Sequence, residues 1–150
     1  IVFGDWSSDV CSSDLSPELT RHFRGLRVWL PLRIHGTEPF IACLSEKLLL
    51  TKYFRSRLSE IGFRTGPEPD LSISYFWYPA VYVDEDTYNR KLLELIHKDG
   101  NVFFSSTTIN GKFVIRMAIL SFRTRLRTID KAIEILNNTR LKLEKEYNYK

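Results

Sequence analysis

Residues 102–120 read "VFFSSTTINGKFVIRMAIL". Two runs rich in β-branched and aromatic residues flank Asn110-Gly111. A two-residue type I′ turn needs positive φ at both central positions, and Asn-Gly is the pair that adopts it most readily. The stretch therefore predicts an antiparallel hairpin. A hairpin alone is at best marginal in water, so its apolar face must be covered by something else in the chain.

The cover is legible as helical periodicity. Thr37 precedes "EPFIACLSEKLLLTKYFRSRLSEIG", where Phe40, Cys43, Leu44, Lys47, Leu48, Thr51, Phe54, Leu58 and Ile61 trace a mostly apolar stripe. Thr37 caps that helix, Pro39 sits in its first turn and Gly62 stops it. A further helix over 21–35 carries Phe23, Leu26, Leu30 and Ile34 at helical spacing, with Trp29 widening the stripe. Pro31 inside it is expected to kink or break it. Phe63 to Thr65 read as a short extended piece, and "GPEPD" as a loop. "LSISYFWY" alternates and ends at Pro79, which makes it a strand. Asp84 or Asp86 begins a helix that Gly100 ends, with Tyr88, Leu92, Leu95 and Ile96 inward. A last helix starts near Thr128, with Ile129, Ala132, Ile133, Ile135, Leu136 and Leu143 apolar. The order is two helices, strand, helix, hairpin, helix. That is an α+β arrangement, an antiparallel sheet with helices on one face.

Composition narrows the function classes. The 43% hydrophobic and 27% charged content is that of a globular chain. No apolar run reaches the roughly 18 residues of a membrane span, so no membrane partner is expected. Cys11 and Cys43 are the only cysteines and stand far apart, which points to a reducing, cytoplasmic setting rather than a disulfide framework. The net charge of +4 is spread through helices. The single tight basic cluster is "FRTRLR", residues 122–127. "YFWY" and "VFF" send aromatics to both faces of their strands, whereas a base-stacking platform needs one face, so nucleic acid is not an expected partner.

No self-sufficient active site is written in the chain. It has no Gly-rich phosphate loop, no GxSxG and no HExxH. His22, His35 and His97 lack Cys or Asp partners at ligand spacing, so no metal site and no catalytic residue are expected.

Four blocks nevertheless carry a resemblance: "SPELTRHFRGLRVWLPLRIHG", "EKLLLTKYFRSRL", "GPEPDLSISYF" and "INGKFVIRMAILSFRT". In order and in separation they resemble the C-terminal part of the pyridoxal-phosphate-dependent group II amino-acid decarboxylases, over residues 16–136. The resemblance implies the small C-terminal domain of a fold type I enzyme, 63–150, preceded by a helical arm, 16–62. It implies pyridoxal 5'-phosphate as cofactor of the full-length parent. It also implies a homodimer with a second copy of the full-length chain, and loss of carbon dioxide from an L-amino acid, an aromatic one being expected. The lysine that holds the cofactor lies upstream of the matched region in this family, so the fragment is expected to be inactive alone. Residues just before the family's "RRFR" reach the neighbouring subunit's active site. Here "RHFR" is Arg21 to Arg24, which places Leu19 and Thr20 at the substrate and Thr20 near the cofactor phosphate. Arg116 matches a family arginine near the active-site loop; as an arginine in an apolar strand it calls for a partner, a salt bridge or a functional group. The alternative reading is a stand-alone α+β binding or interaction domain.

The opening "DWSSDVCSSDL", Asp5 to Leu15, is of another composition. Back-translated, it matches a sequencing-library adapter in one frame. Residues 1–15 are therefore expected to be non-native and are set aside from fold reasoning.

Overall fold

A computed structural model describes residues 25–81 and 83–148. Helix α1 is Gly25–His35, α2 Glu38–Glu60, strand β1 Arg64–Thr65 and β2 Ile73–Trp77. These are followed by α3 Glu85–Asp99, β3 Ser105–Ile109, β4 Lys112–Ala118 and α4 Leu126–Asn148. The chain divides into two units, Ile1–Glu38 and Pro39–Lys150. In the first unit, α1 continues through Pro31 without the expected break, and none of its side chains is buried.

The second unit holds the core. Its sheet has the order β1-β2-β4-β3, antiparallel throughout. The hairpin forms where Asn110-Gly111 predicts it. Both residues take positive φ, 51° and 79°, and Ile109 pairs with Lys112 across the turn. Replacing Gly111 by valine puts a β-branched side chain in the left-handed region. We expect this to cost about 1–2 kcal/mol and to lower the thermal midpoint, read by circular dichroism.

Register sets the two faces of the sheet. Phe76 lies opposite Ile115, and Ser74 opposite Met117. Phe76, Phe113 and Ile115 join α2, α3 and α4 in one core cluster. Four phenylalanines form its centre. Phe54 of α2 meets Phe76 edge-on at 5.5 Å and Phe104 at 6.4 Å, and Phe63 meets Phe76 at 5.8 Å. Because Leu50, Phe54 and Leu58 are core residues, the second half of α2 packs with residues 63–150, and the compact unit reaches back to Pro39.

The stripe expected along α2 is buried only in part. Lys47, Leu50, Thr51, Phe54 and Leu58 are inward. Leu44 is 66% exposed, and Phe40 and Leu48 are exposed as well. Periodicity marks a helix face; it does not say how far along the helix a neighbour reaches.

α3 starts on Asp84, whose carboxylate accepts from the Thr87 N–H at 2.9 Å. Asp86 Oδ1 accepts from Phe113 N at 2.9 Å and so ties the start of α3 to the start of β4. In α3, Tyr88, Leu92 and Ile96 are buried as the spacing predicts; Leu93 and Asn89 join them, and Leu95 is only partly buried. In α4, Ile129, Ala132, Ile133, Leu136 and Leu143 are inward, with Ile135 partly so.

Candidate functional site

Arg116 is the one predicted site residue among the described residues. In β4, Phe113 and Ile115 join the helical core, Val114 between them is buried as well, and Arg116 beyond them is exposed on the outer face. It lies directly opposite Tyr75 of β2 and Ser105 of β3. Tyr75 and Trp77 share that outer face and stack at 6.3 Å. The Tyr75 ring lies over Gly66, where a Cβ would sit 2.2 Å from its Cζ, so any larger residue there must displace the ring. Lys112 Nζ stands 4.1 Å over the Trp77 ring and 3.0 Å from Glu85 Oε1. The outer face is thus a layer of two stacked aromatics with cations beside them.

Arg116 does not meet the salt bridge its surroundings in sequence called for. Its Nε donates to Ser105 Oγ at 2.9 Å, and no carboxylate pairs with it among the described residues. The physical reason is exposure. Only a buried guanidinium needs a counter-charge, because only burial removes its hydration. Leu19, Thr20 and His22 lie outside the described residues. His35 is exposed. His97 Nε2 lies 2.8 Å from the Phe104 carbonyl, and its ring stacks on Phe103 at 4.8 Å. Cys43 is a free, half-buried thiol. No cluster of metal-ligating side chains occurs among the described residues.

Two polar constellations carried weaker signals. Lys47 is buried within the apolar stripe of α2. Its ammonium donates to the Thr124 carbonyl at 2.7 Å and to Glu46 Oε2 at 3.1 Å. Glu46 in turn accepts two bonds from Arg125, at 2.7 and 2.6 Å. A lysine in an apolar stripe is a visible clue to such a clamp, but the Thr124 carbonyl it bonds stands 77 residues away in sequence. The second lies on α4. Tyr78 donates its hydroxyl to Glu144, and Arg140 donates to the same carboxylate at 3.0 Å. Burial pushes the phenols of Tyr78 and Tyr88 up from their ordinary values.

The carboxylates that are shifted all move down. Glu46 is held below its ordinary value of 4.5 by the Arg125 hydrogen bonds, then by Lys47. Asp84 is lowered by the Thr87 N–H, and Glu94 by Lys98 and then Lys91. A carboxylate with a depressed folded-state pKa adds stability above its unfolded pKa and loses it as pH falls through the folded one. We therefore expect the urea midpoint to hold between about pH 7 and 5 and to fall below about pH 4. The groups are exposed, so salt should blunt the effect.

The described residues do not make a pyridoxal-phosphate site. The buried lysine, Lys47, has its ammonium committed to Thr124 and Glu46. A groove of about 600 Å³ lies between α2 and the loop before β2, and is lined by Leu48, Leu49, Pro69 and Leu71 with Glu68 and Asp70. Its lysine, Lys52, is paired to Glu68 at 3.3 Å. Carboxylates at the rim repel a phosphate, so no cofactor step is derived from these residues.

The fold is that of a segment found in pyridoxal-phosphate decarboxylase structures. The solved structure of Oryza sativa TDC with PLP and tryptamine superposes with a TM-score of 0.78 at 23% identity, covering 88% of this chain and 29% of that one. No family model matches the chain. Curated proteins similar to it along most of its length include tyrosine, tryptophan and aromatic-L-amino-acid decarboxylases. Tyrosine decarboxylase 2 of Arabidopsis thaliana is 29% identical over 140 residues, 91% of this chain and 26% of the relative. Phenylacetaldehyde synthase of the same plant is 29% identical over 122 residues, 79% of this chain and 25% of the relative. The chain thus spans about a quarter of the length of the curated relatives it matches.

Proposed function

We propose that this chain is the C-terminal portion of a pyridoxal-phosphate-dependent amino-acid decarboxylase acting on an aromatic L-amino acid, a cytoplasmic homodimer in its complete form. The observation that carries the reading is coverage. Nine-tenths of the chain aligns with a quarter of an aromatic decarboxylase, and the same share takes up the fold of one. The free Cys43 thiol supports a reducing compartment. The cofactor supplies the carbanion chemistry of decarboxylation, and the lysine that would hold it belongs, on this reading, to the part of the enzyme upstream of the matched region.

On this reading the outer sheet face with Arg116, and Leu19 with Thr20, are the parts that lie toward the complete enzyme's active site, Thr20 serving the cofactor phosphate and the substrate. The chain as it stands is catalytically silent. Pyridoxal phosphate added to the 150-residue chain should give no visible absorbance band. The chain extended by its upstream coding sequence should give one, with release of carbon dioxide from an aromatic L-amino acid. An upstream sequence whose product neither binds the cofactor nor releases carbon dioxide would overturn the reading.

A further inference from the structure

The tight basic cluster at residues 122–127 has no part in the function proposed above. It runs up to a hydroxyl. Arg123, Arg125 and Arg127 stand five, three and one residues before Thr128. Thr128 is the only serine or threonine in the chain with arginine at both the fifth and the third position before it. Protein kinases that carry carboxylates beside the catalytic cleft choose among hydroxyls by the basic side chains that precede them.

The fold leaves this pattern open. Residues 119–125 belong to neither helix nor strand, and α4 begins at Leu126. Arg123, Arg125, Arg127 and Thr128 are all exposed. The next residue, Ile129, is fully buried and anchors the helix from there on. Arg125 N donates to Thr128 Oγ1 at 3.4 Å, and Thr128 N donates to the Arg125 carbonyl at 2.9 Å. These bonds are the two halves of a reciprocal cap, the first of them long. Opening that one turn frees the hydroxyl, and helix ends fray.

A phosphate on Thr128 Oγ1 would find a cation already at hand. The Arg125 guanidinium is held by Glu46 at 2.7 and 2.6 Å. That pair is open to water, the Arg125 side chain being 63% exposed, and exposed ion pairs are weak. A phosphate carries about two negative charges and three acceptor oxygens. Glu46 carries one charge and shares it with Lys47. The phosphate would also sit three residues from Arg125 in the chain, on an atom that the Arg125 N–H already faces.

We propose that Thr128 is a phosphorylation site for a protein kinase that selects arginine five and three residues before its acceptor hydroxyl, and that the phosphate draws Arg125 away from Glu46. The donor is ATP. The bond from the γ-phosphorus to its bridging oxygen breaks, a bond from Oγ1 to that phosphorus forms, the hydroxyl proton passes to the kinase's general base, and ADP leaves. Glu46 then keeps Lys47 alone, and the tie between α2 and the turn after β4 is left to Lys47 and the Thr124 carbonyl. The site stands whether or not the complete protein is a decarboxylase.

The test incubates the folded 150-residue chain with ATP and a kinase selected on peptides for arginine at those two positions. Tandem mass spectrometry should find a single phosphate, on Thr128. Thr128→Ala should abolish incorporation and Thr128→Ser should keep it. Arg123→Ala, at an exposed position in the turn, should slow incorporation about tenfold, with circular dichroism confirming the fold of each variant. No phosphate, phosphate on another hydroxyl alone, or phosphate that enters only a denatured chain overturns the site. For the exchange, the Arg125 Nε–H resonance is followed in isotope-labelled chain. Glu46→Gln should move it before phosphorylation. Phosphorylation should move it in the parent chain, and Glu46→Gln should then leave it where it is. A resonance that still answers to Glu46→Gln after phosphorylation overturns the exchange.

Discussion

Replacing Phe54 by alanine is expected to lower the unfolding free energy of the second unit by about 3–5 kcal/mol. Phe54 is fully buried and touches Phe76 and Phe104, which also touch each other at 5.6 Å. It is the side chain by which α2 enters the sheet's core, between Phe76 of β2 and Phe104 just before β3. The lost transfer energy adds to that of a cavity which the two remaining rings, Phe76 and Phe104, cannot collapse to fill. A unit of this size has about 5–15 kcal/mol in hand, so the variant should melt at a far lower temperature and with a broader transition. Chemical denaturation followed by Trp fluorescence reads the change. A loss under about 1 kcal/mol would mean that α2 is not part of this core. Leu48→Ala on the same helix, at an exposed position, should change little.

Asn89→Leu should cost about 3 kcal/mol by another route. Asn89 is completely buried on α3. Its Oδ1 accepts from Tyr78 N at 2.8 Å, and its Nδ2 donates to the Tyr78 carbonyl at 2.9 Å and the Glu85 carbonyl at 2.7 Å. The side chain acts as a short piece of strand, pairing the backbone of β2 where the sheet ends. Leucine keeps the branching at Cγ but is larger and has no polar atoms, so it crowds the site while the Tyr78 N–H, the Tyr78 carbonyl and the Glu85 carbonyl lose this partner. Amide exchange separates this from general destabilisation. Protection of the Tyr78 N–H should collapse, while that of Gly66 N–H, bonded to the Tyr75 carbonyl at 3.0 Å, should drop only by the global amount. Equal loss at both sites would refute the local role.

These two residues show how differently a fold is legible. Phe54 is marked by the helical stripe through Leu58, and Phe76 by alternation in "ISYFW". Asn89 carries no sequence signal, because its partners are backbone atoms eleven residues away whose availability depends on where β2 stops. Lys47 is half legible: its place in an apolar stripe flags it, but the Thr124 carbonyl and the Glu46–Arg125 pair appear only when α2 and the turn after β4 meet. Arg116 calls for a partner on its apolar neighbours in sequence, yet it is exposed while Val114, two residues earlier on the same face, is buried, so alternation gives the face and not its cover.

The sequence alone determined the local geometry of this protein. Positive φ at Asn110-Gly111, the caps at Asp84 and Gly100, and the two hydrophobic periods are set by steric and hydrogen-bonding preferences within a few residues, so they can be read in order along the chain. Tertiary structure decided the rest: the strand order β1-β2-β4-β3, the half of α2 that is covered, and the meeting of Ile119 with Ser72 and of Lys47 with Thr124. Those outcomes depend on which apolar faces find each other across long stretches of chain. Burial is a property of the pair of surfaces, and neither surface alone specifies it.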